Sequence, residues 1–376
     1  MTTIVDVAKK AGVSPAAVSC VLNARTSAIA ISKKTKARVL QAVADLGYRR
    51  DEIARAMISG RLSMIGVSVP SVNSEVVGAI LEGILDVAEE FNYFIKVLRV
   101  GKRSGGEIAR LCLQYRLAGM VCSQLPDAAI DEIYRGLNPH HVPLVVADNS
   151  AMAPWKIRVL SDDQGGVHQA LEHFKTLGHR HIGFCASNPR SPWSIQRRQG
   201  FISAMEALGL SVNPKWIFQN VTIDGDLSQV IRHFKNAGSH PASLRSFAET
   251  GPASLRSFAG TSPTALLCAG DPLAMVLIRA LRGIGLKVPR DVSIIGFADV
   301  ASSLWCDPPL TTVHQPFREM GAAAMRRLMA LILNPSEASK NTNMTEVLPA
   351  PLVVRGSTGK PHGESSSHKQ KGNRDK

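Results

Sequence analysis

Residues 3–23, TIVDVAKKAGVSPAAVSCVLN, decide how the rest of the chain is read. Ile4, Val7, Ala8 and Ala11 fall at i, i+3, i+4 and i+7, the spacing that gathers apolar side chains on one helix face. Gly12 follows at once, in the place where a left-handed residue ends a helix. Ser14 is then a good N-cap, and Pro15 sits at the first helical position, where its missing N–H does no harm. Val18, Val21 and Leu22 make the inward face of this second helix. Ala16, Cys20 and Asn23 are left on the opposite face, with Ser19 beside them. Two short helices joined by a tight turn outline a helix-turn-helix, whose second helix lies in the major groove of DNA.

A third helix is expected from an N-cap at Ser32, burying Val39, Leu40, Val43 and Leu46 and stopping at Gly47. Lys33, Lys34, Lys36 and Arg38 crowd its first turns, and beside a helix-turn-helix such a cluster suits contact with phosphates. The charge of the whole chain is distributed to match. The 376 residues carry a formal net charge of +14, which favours an anionic partner such as nucleic acid. Residues 1–61 hold eleven Lys and Arg against four Asp and Glu, so half of the excess sits on about a sixth of the chain. Residues 334–376 hold seven against four, which leaves the large middle only weakly basic.

The hydrophobic content of 45% fills a sizeable core, and the length allows two or three domains. The six cysteines include no C-x-x-C pair and are scattered through apolar segments, as expected of reduced, mostly buried thiols in a cytosolic protein. No signal-peptide run opens the chain, and no stretch approaches the ~18 apolar residues of a membrane span. The protein is therefore expected in the cytoplasm, associated with the nucleoid, without a membrane partner. Neither a metal site nor a cofactor is expected. A G-x-S-x-G elbow, a P-loop, an H-E-x-x-H pair and a dinucleotide fingerprint are all missing, so an enzyme is not expected either.

From Leu62 onward, apolar runs alternate with amphipathic helices. MIGVSVP (64–70), FIKVLRV (94–100), GMVCS (119–123), PLVVADN (143–149), HIGFCAS (181–187), TALLCAG (264–270) and VSIIGFAD (292–299) are short and bounded by turn residues. That is the signature of βαβ units and parallel sheets. Their number fits two similar α/β subdomains with a cleft between them, where ligands bind at the carboxyl ends of the strands. The expected fold is an all-α helix-turn-helix head followed by a core of two α/β subdomains with parallel sheets.

The first sixty residues resemble the lactose-repressor (LacI/GalR) family of bacterial transcriptional regulators. The resemblance is carried by TIVDVAKKAGVSPAAVSCVLN, SKKTKARVLQAVADLGY (32–48) and IARAM (53–57). LGHRHIGFCAS (177–187), RRQGF (197–201), CAGDPLAM (268–275), VPRDVSIIGFAD (288–299) and PPLTTVHQPFREMG (308–321) extend it through most of the chain. It implies a periplasmic-binding-protein-like core and a sequence-specific DNA-binding regulator, most often a repressor, controlled by a sugar or sugar-like effector in the core cleft. Two other readings stay open: an orphan regulator without an effector, and a cytoplasmic sugar-binding protein. The implied partners are a palindromic double-stranded DNA operator, a small-molecule effector of carbohydrate type and further copies of the chain, as a homodimer or a pair of dimers. The implied boundaries are a head at 1–60 with a hinge helix at about 51–59, an effector-binding and dimerising core at 61–358, and a disordered basic tail at 359–376.

Site residues follow position by position. In the head, the resemblance assigns DNA contact to Ser14, Pro15, Ala16, Ser19, Cys20 and Asn23 of the second helix, to Lys33 of the third, and to Arg55 and Met57 of the hinge. The hinge, DEIARAMISG at 51–60, is below the ~12 residues at which isolated helices become marginal, so it should fold on binding. Met57 would enter the minor groove as an apolar wedge. Cys20 stands where the family very often has Arg, which takes a guanine edge bidentately, whereas a thiol is a weak donor. In the core, Ser71, Asp148, Arg197, Gly270, Asp271, Ala298, Trp305 and Phe317 are the implied effector positions. Asp148 matches an acidic position, Arg197 the arginine that holds sugar hydroxyls, and Phe317 an aromatic lining position. Gly270 replaces a usual Asn and Ala298 a usual Asp, so two groups that commonly bind sugar hydroxyls are missing: either the ligand is not a typical neutral sugar, or other residues such as Trp305 and Arg198 compensate. Val76 and Val77 stand where aromatic residues are frequent, which again suits an atypical ligand. PASLRSFA occurs at 241–248 and again at 252–259, and reads as a duplicated surface loop.

Overall fold

A computed structural model describes residues 2–23, 31–48, 62–147, 157–188, 190–221, 227–236, 262–334 and 344–361. The chain divides into two compact units, Met1–Ser63 and Met64–Lys376.

The first unit contains α1 (Ile4–Ala11), α2 (Pro15–Asn23) and α3 (Lys33–Asp45). Each start has a local cause. Thr3 and Asp6 form a reciprocal capping box on α1, and Gly12 closes that helix at φ 63°. The Ser14 hydroxyl accepts the Ala17 N–H at 3.2 Å, and the Ser32 hydroxyl accepts the Thr35 N–H at 3.1 Å. Val7, Ala8, Ala11, Val18, Val39 and Ala42 form the buried centre. Leu40 departs from expectation, at 48% exposed. The buried stripe of α3 runs through residues 39, 42, 43 and 46, and Leu40 lies about 100° round the helix from Val39. Arg38 also departs. Its guanidinium donates to the carbonyls of Ala11 and Gly12, acceptors that the end of α1 leaves unsatisfied, so it clamps α3 to the turn.

The second unit holds two six-stranded sheets. The first comprises β1 (Met64–Val69), β2 (Phe94–Arg99), β3 (Gly119–Cys122), β4 (Leu144–Ala147), β5 (Ile157–Ser161) and, from much later in the chain, β11 (Met344–Leu348). Its order is β11-β5-β4-β3-β1-β2, parallel throughout. The second comprises β6 (Ile182–Cys185), β7 (Ile217–Phe218), β8 (Ala265–Cys268), β9 (Ser293–Ala298), β10 (Thr311–His314) and β12 (Leu352–Val353). Its order is β12-β10-β9-β8-β6-β7, parallel except for the β10–β12 pair. All seven apolar runs singled out in the sequence contain strands of these sheets.

Helices cover the faces. Of the first sheet's helices, α4 (Glu75–Glu90), α5 (Gly105–Gln114) and α6 (Asp127–Leu137) lie early in the chain. Of the second's, α7 (Asp163–Leu177) precedes its first strand, and α8 (Pro192–Ala207), α9 (Ser228–Asn236) and α10 (Asp271–Gly283) come between its strands. The last, α11 (Phe317–Leu333), follows β10 of the second sheet yet packs on α4 and the first. Gly83 and Gly321 permit that close helix pairing: a Cβ on either would strike a backbone carbonyl, of Arg318 or Ile80.

The chain passes between the sheets at residues 161–163, 314–317 and 348–352. The passages are tied to one another. The Asp162 N–H donates to the Leu348 carbonyl at 2.8 Å, and the His314 N–H to the Pro351 carbonyl at 2.8 Å. Residues 359–361 of the expected tail are described, and Gly359 is bound to the core: its N–H donates to Ser293 at 3.0 Å and its carbonyl accepts from His179 Nε2 at 2.8 Å. Among the described residues, no helix is long and apolar enough to cross a membrane.

Candidate functional site

A cavity of about 200 Å3 is lined by both halves of the second unit. Its walls stand just beyond the carboxyl ends of several strands: Gln124 after β3, Ser187 after β6, Ala269 and Gly270 after β8, and Gln315 after β10. Parallel sheets leave loops at those ends, which is where ligands of such folds sit. Trp193 and Arg197 reach it from the first turns of α8, Val76 from α4, and Phe317 and Met320 from α11.

Arg197 organises one wall. It is 7% exposed. Its Nε donates to Asp163 Oδ2 at 2.7 Å, Nη1 to the Ala269 carbonyl at 2.7 Å, and Nη2 to Gln315 Oε1 at 2.8 Å. Its guanidinium carbon lies 3.8 Å from the centre of the Phe297 ring and 5.3 Å from that of Trp193. The second carboxylate oxygen of Asp163 accepts from the Ser161 hydroxyl at 2.6 Å and from Gln315 Nε2 at 3.0 Å. Gln315 Nε2 also donates to the Ser161 hydroxyl at 2.7 Å. A buried ion pair is tolerable only with extensive hydrogen bonding of this kind, because both charges have lost their water. Ser161 and Asp163 belong to one passage between the sheets and Gln315 to another, so the charge pair sits where the two halves are joined.

Four of the eight expected effector positions line this cavity: Arg197, Gly270, Ala298 and Phe317. Asp271 does not. It is fully buried, with Oδ1 accepting the Thr312 hydroxyl at 2.5 Å and Oδ2 accepting the Val300 N–H at 3.0 Å. Burial pushes its carboxyl up to about 6, against the opposing pull of those two hydrogen bonds. Gly296 makes room for it, since a Cβ there would run into the same carboxylate. Asp271 therefore braces the end of β9 and lies outside the cavity lining. Trp305 is 81% exposed and outside the lining. Ser71 is also outside it, its hydroxyl accepting the Asn73 N–H at 3.2 Å. Arg198 bonds Gln219 Oε1 at 3.1 Å instead of lining the cavity. Asp148 lies outside the described residues. Asp163, Gln315, Ser187, Gln124, Trp193 and Met320 were not anticipated. The one local signal for Asp163 and Gln315 is a polar residue in the first steps after a strand, in VLSDDQ and TVHQP.

In the first unit, Pro15 and Ala16 are exposed at the start of α2, while Ser19 and Cys20 are half-buried further along it. The Ser14 hydroxyl is committed to its cap. Lys33, Lys34 and Lys36 are exposed on the first turns of α3. Asn23 ends α2, and its side chain lies outside the described residues, as do Arg55, Met57 and both copies of PASLRSFA.

Comparison with known proteins agrees along most of the chain. Residues 3–51 match "Bacterial regulatory proteins, lacI family", residues 63–241 match "Periplasmic binding proteins and sugar binding domain of LacI family", and residues 171–358 match "Periplasmic binding protein-like domain". The HTH-type transcriptional regulator MalR of Streptomyces coelicolor is 32% identical over 371 residues, covering 96% of this chain and 98% of that protein. The chain belongs to the LacI family. Another LacI-family relative, the HTH-type transcriptional repressor PurR of Photobacterium profundum, is 29% identical over 337 residues, covering 88% of this chain and 91% of that one. A crystal structure of the Lac repressor dimer bound to operator and the anti-inducer ONPF matches with a TM-score of 0.72 at 26% identity, over 95% of this chain and 99% of that chain. The LacI-family helix-turn-helix pattern thus falls in the first unit and the periplasmic-binding-protein-like patterns in the second.

Proposed function

We propose that this chain is a LacI-family transcriptional repressor whose residues 1–60 bind operator DNA and whose cavity binds a small-molecule effector that changes that binding. The observation that carries the reading is the Asp163–Arg197–Gln315 network, a buried charge pair in the cavity wall that is also a joint between the two halves of the core. A ligand that bonds Arg197 acts on that joint, and the coupling between effector and DNA is reciprocal. An effectorless regulator has little use for a guanidinium buried at the edge of a cavity, where it costs desolvation.

The outward face of α2 offers few groups that read base edges. Pro15 and Ala16 suit the thymine methyl, and Ser19, Cys20 and Asn23 complete the contact set, with Ser14 capping the helix beneath them. Lys33 meets phosphate, and the hinge supplies Arg55 and Met57, the latter as a wedge at the operator centre. Much of the discrimination then comes from deformability of the site. The palindrome requires two heads, hence a homodimer. Phe94 on the edge strand β2 and Leu85 on α4, at 67% and 40% exposed, offer apolar surface for the second copy.

Selection of bound duplexes from random DNA tests this with the full chain and with Cys20→Arg. The expected result is a palindrome with a flexible central step, and a gain of guanine preference in the variant worth about 1–3 kcal/mol at one position per half-site. Absence of any enriched palindrome overturns the reading.

A further inference from the structure

The cavity lining narrows the ligand to a chemical class, an inference that rests on this cavity being the effector site. Nine of its fourteen lining residues are apolar or aromatic, with Trp193, Phe297 and Phe317 supplying rings. None of these described lining residues is a carboxylate; Asp148, an expected effector position, lies outside the described residues. Asp163 lies behind Arg197 at 4% exposed, and Asp271 is buried against Thr312 and Val300. Sugar hydroxyls need acceptors for their protons, and carboxylates are the strongest that side chains offer. Here most of the Gln315 amide is committed: Oε1 accepts from Arg197, which leaves it one lone pair, and both Nε2 protons go to Ser161 and Asp163. Arg197, by contrast, commits three N–H groups to these partners; of its five donors, two have no partner among the described residues. Gln124 and Ser187 are the other polar side chains of the described lining, so the wall offers the charged donors of Arg197 and only neutral acceptors.

Size agrees. At about 200 Å3 the cavity is somewhat larger than the roughly 150 Å3 that holds benzene and smaller than the roughly 300 Å3 where drug-sized pockets begin. One ring with a short substituent fits within it.

We propose that the effector is a single unsaturated ring bearing a carbonyl or carboxylate oxygen, held with that oxygen on Arg197 and its ring against Trp193 and Phe317, and not a polyhydroxylated sugar. A neutral carbonyl leaves the Asp163–Arg197 pair balanced, whereas a carboxylate shares the guanidinium with Asp163. Either is an acceptor for the same donors.

Calorimetric titration of the full chain with benzamide, benzoate, glucose and ribose tests the class, and benzamide against benzoate separates its neutral from its anionic form. Trp193→Leu removes the ring wall, and Trp193→Phe keeps one. Gly270→Asn adds an amide to the wall at a position where a Cβ would have no neighbour nearer than 3.9 Å and φ of −173° suits any residue. The expected result is binding of benzamide or benzoate, weakened by about tenfold in Trp193→Leu, retained in Trp193→Phe, and weakened in Gly270→Asn. Binding of glucose or ribose without binding of either ring compound overturns the class and leaves the effector site standing. Ring binding indifferent to Trp193→Leu in a variant that melts like the parent places the ligand elsewhere and overturns it too. No binding by any of the four compounds overturns both the class and the effector site.

Discussion

Asp271 is the residue whose burial has the clearest thermodynamic consequence. Its carboxyl is pushed up to about 6 from the ordinary 3.8 by loss of water, with the Thr312 and Val300 hydrogen bonds pulling the other way. A carboxyl whose folded value lies above its unfolded one favours folding most below the unfolded value, and that contribution is lost as pH rises through the folded value. The neutral variant Asp271→Asn has no such loss. The stability of Asp271→Asn relative to the parent should therefore rise between about pH 4 and pH 7 by on the order of 3 kcal/mol and level off above. Urea melts at several pH values measure it, and a constant difference across that range would refute the buried, raised carboxyl. The sequence placed Asp271 at the ligand. Arg197, Gly270, Ala298 and Phe317, also expected there, line one cavity, because each belongs to a motif of contiguous residues. Asp163 and Gln315 carried only the faint signal of a polar residue just after a strand, because each matters through a partner 34 or 118 positions away, and no local spacing encodes such a pair.

At the scale of elements, what is local was legible. The caps Ser14 and Ser32 and the left-handed Gly12 and Gly47 act within three or four residues of themselves. Buried strands read as apolar runs because both of their faces are covered. β11 did not, since its burial alternates between intermediate and exposed at the edge of the first sheet. The helix pair α4–α11 was not legible either, since its two glycines lie far apart in the chain and are ordinary in their own helices. Gly83→Ala forces a methyl against the Arg318 carbonyl and should cost about 2–4 kcal/mol by strain and displacement of α11. Gly78→Ala, on the same helix with nothing within 4 Å of the added carbon, should instead be neutral or stabilising by up to about 1 kcal/mol. Denaturant midpoints compare the two, and equal effects would show that the close helix approach is not what Gly83 provides.

At the scale of the whole molecule, two sheets could be inferred from the number of apolar runs, but not that the chain passes between them three times. The bonds that tie the passages, such as Asp162 to Leu348, join residues far apart in sequence. The distribution of charge was plain from the start, and it carries the last prediction. Half of the net positive charge lies in residues 1–61. If that region neutralises six or more phosphates, operator affinity should fall on the order of 10³-fold or more between about 50 and 200 mM salt, through release of counterions from DNA. The structure divides the basic residues of α3 into two kinds. Lys33 is exposed and bonds to no described residue, whereas Arg38 spends its guanidinium on the carbonyls of Ala11 and Gly12. Lys33→Ala should therefore lower the salt slope by about 1 and leave thermal stability unchanged. Arg38→Ala should keep the slope and lower the melting temperature, since two carbonyls at the turn lose a charged donor. Salt titrations of operator binding, run beside thermal melts of both variants, separate the two roles; a slope lowered equally by both would mean that Arg38 leaves its clamp to meet the phosphates.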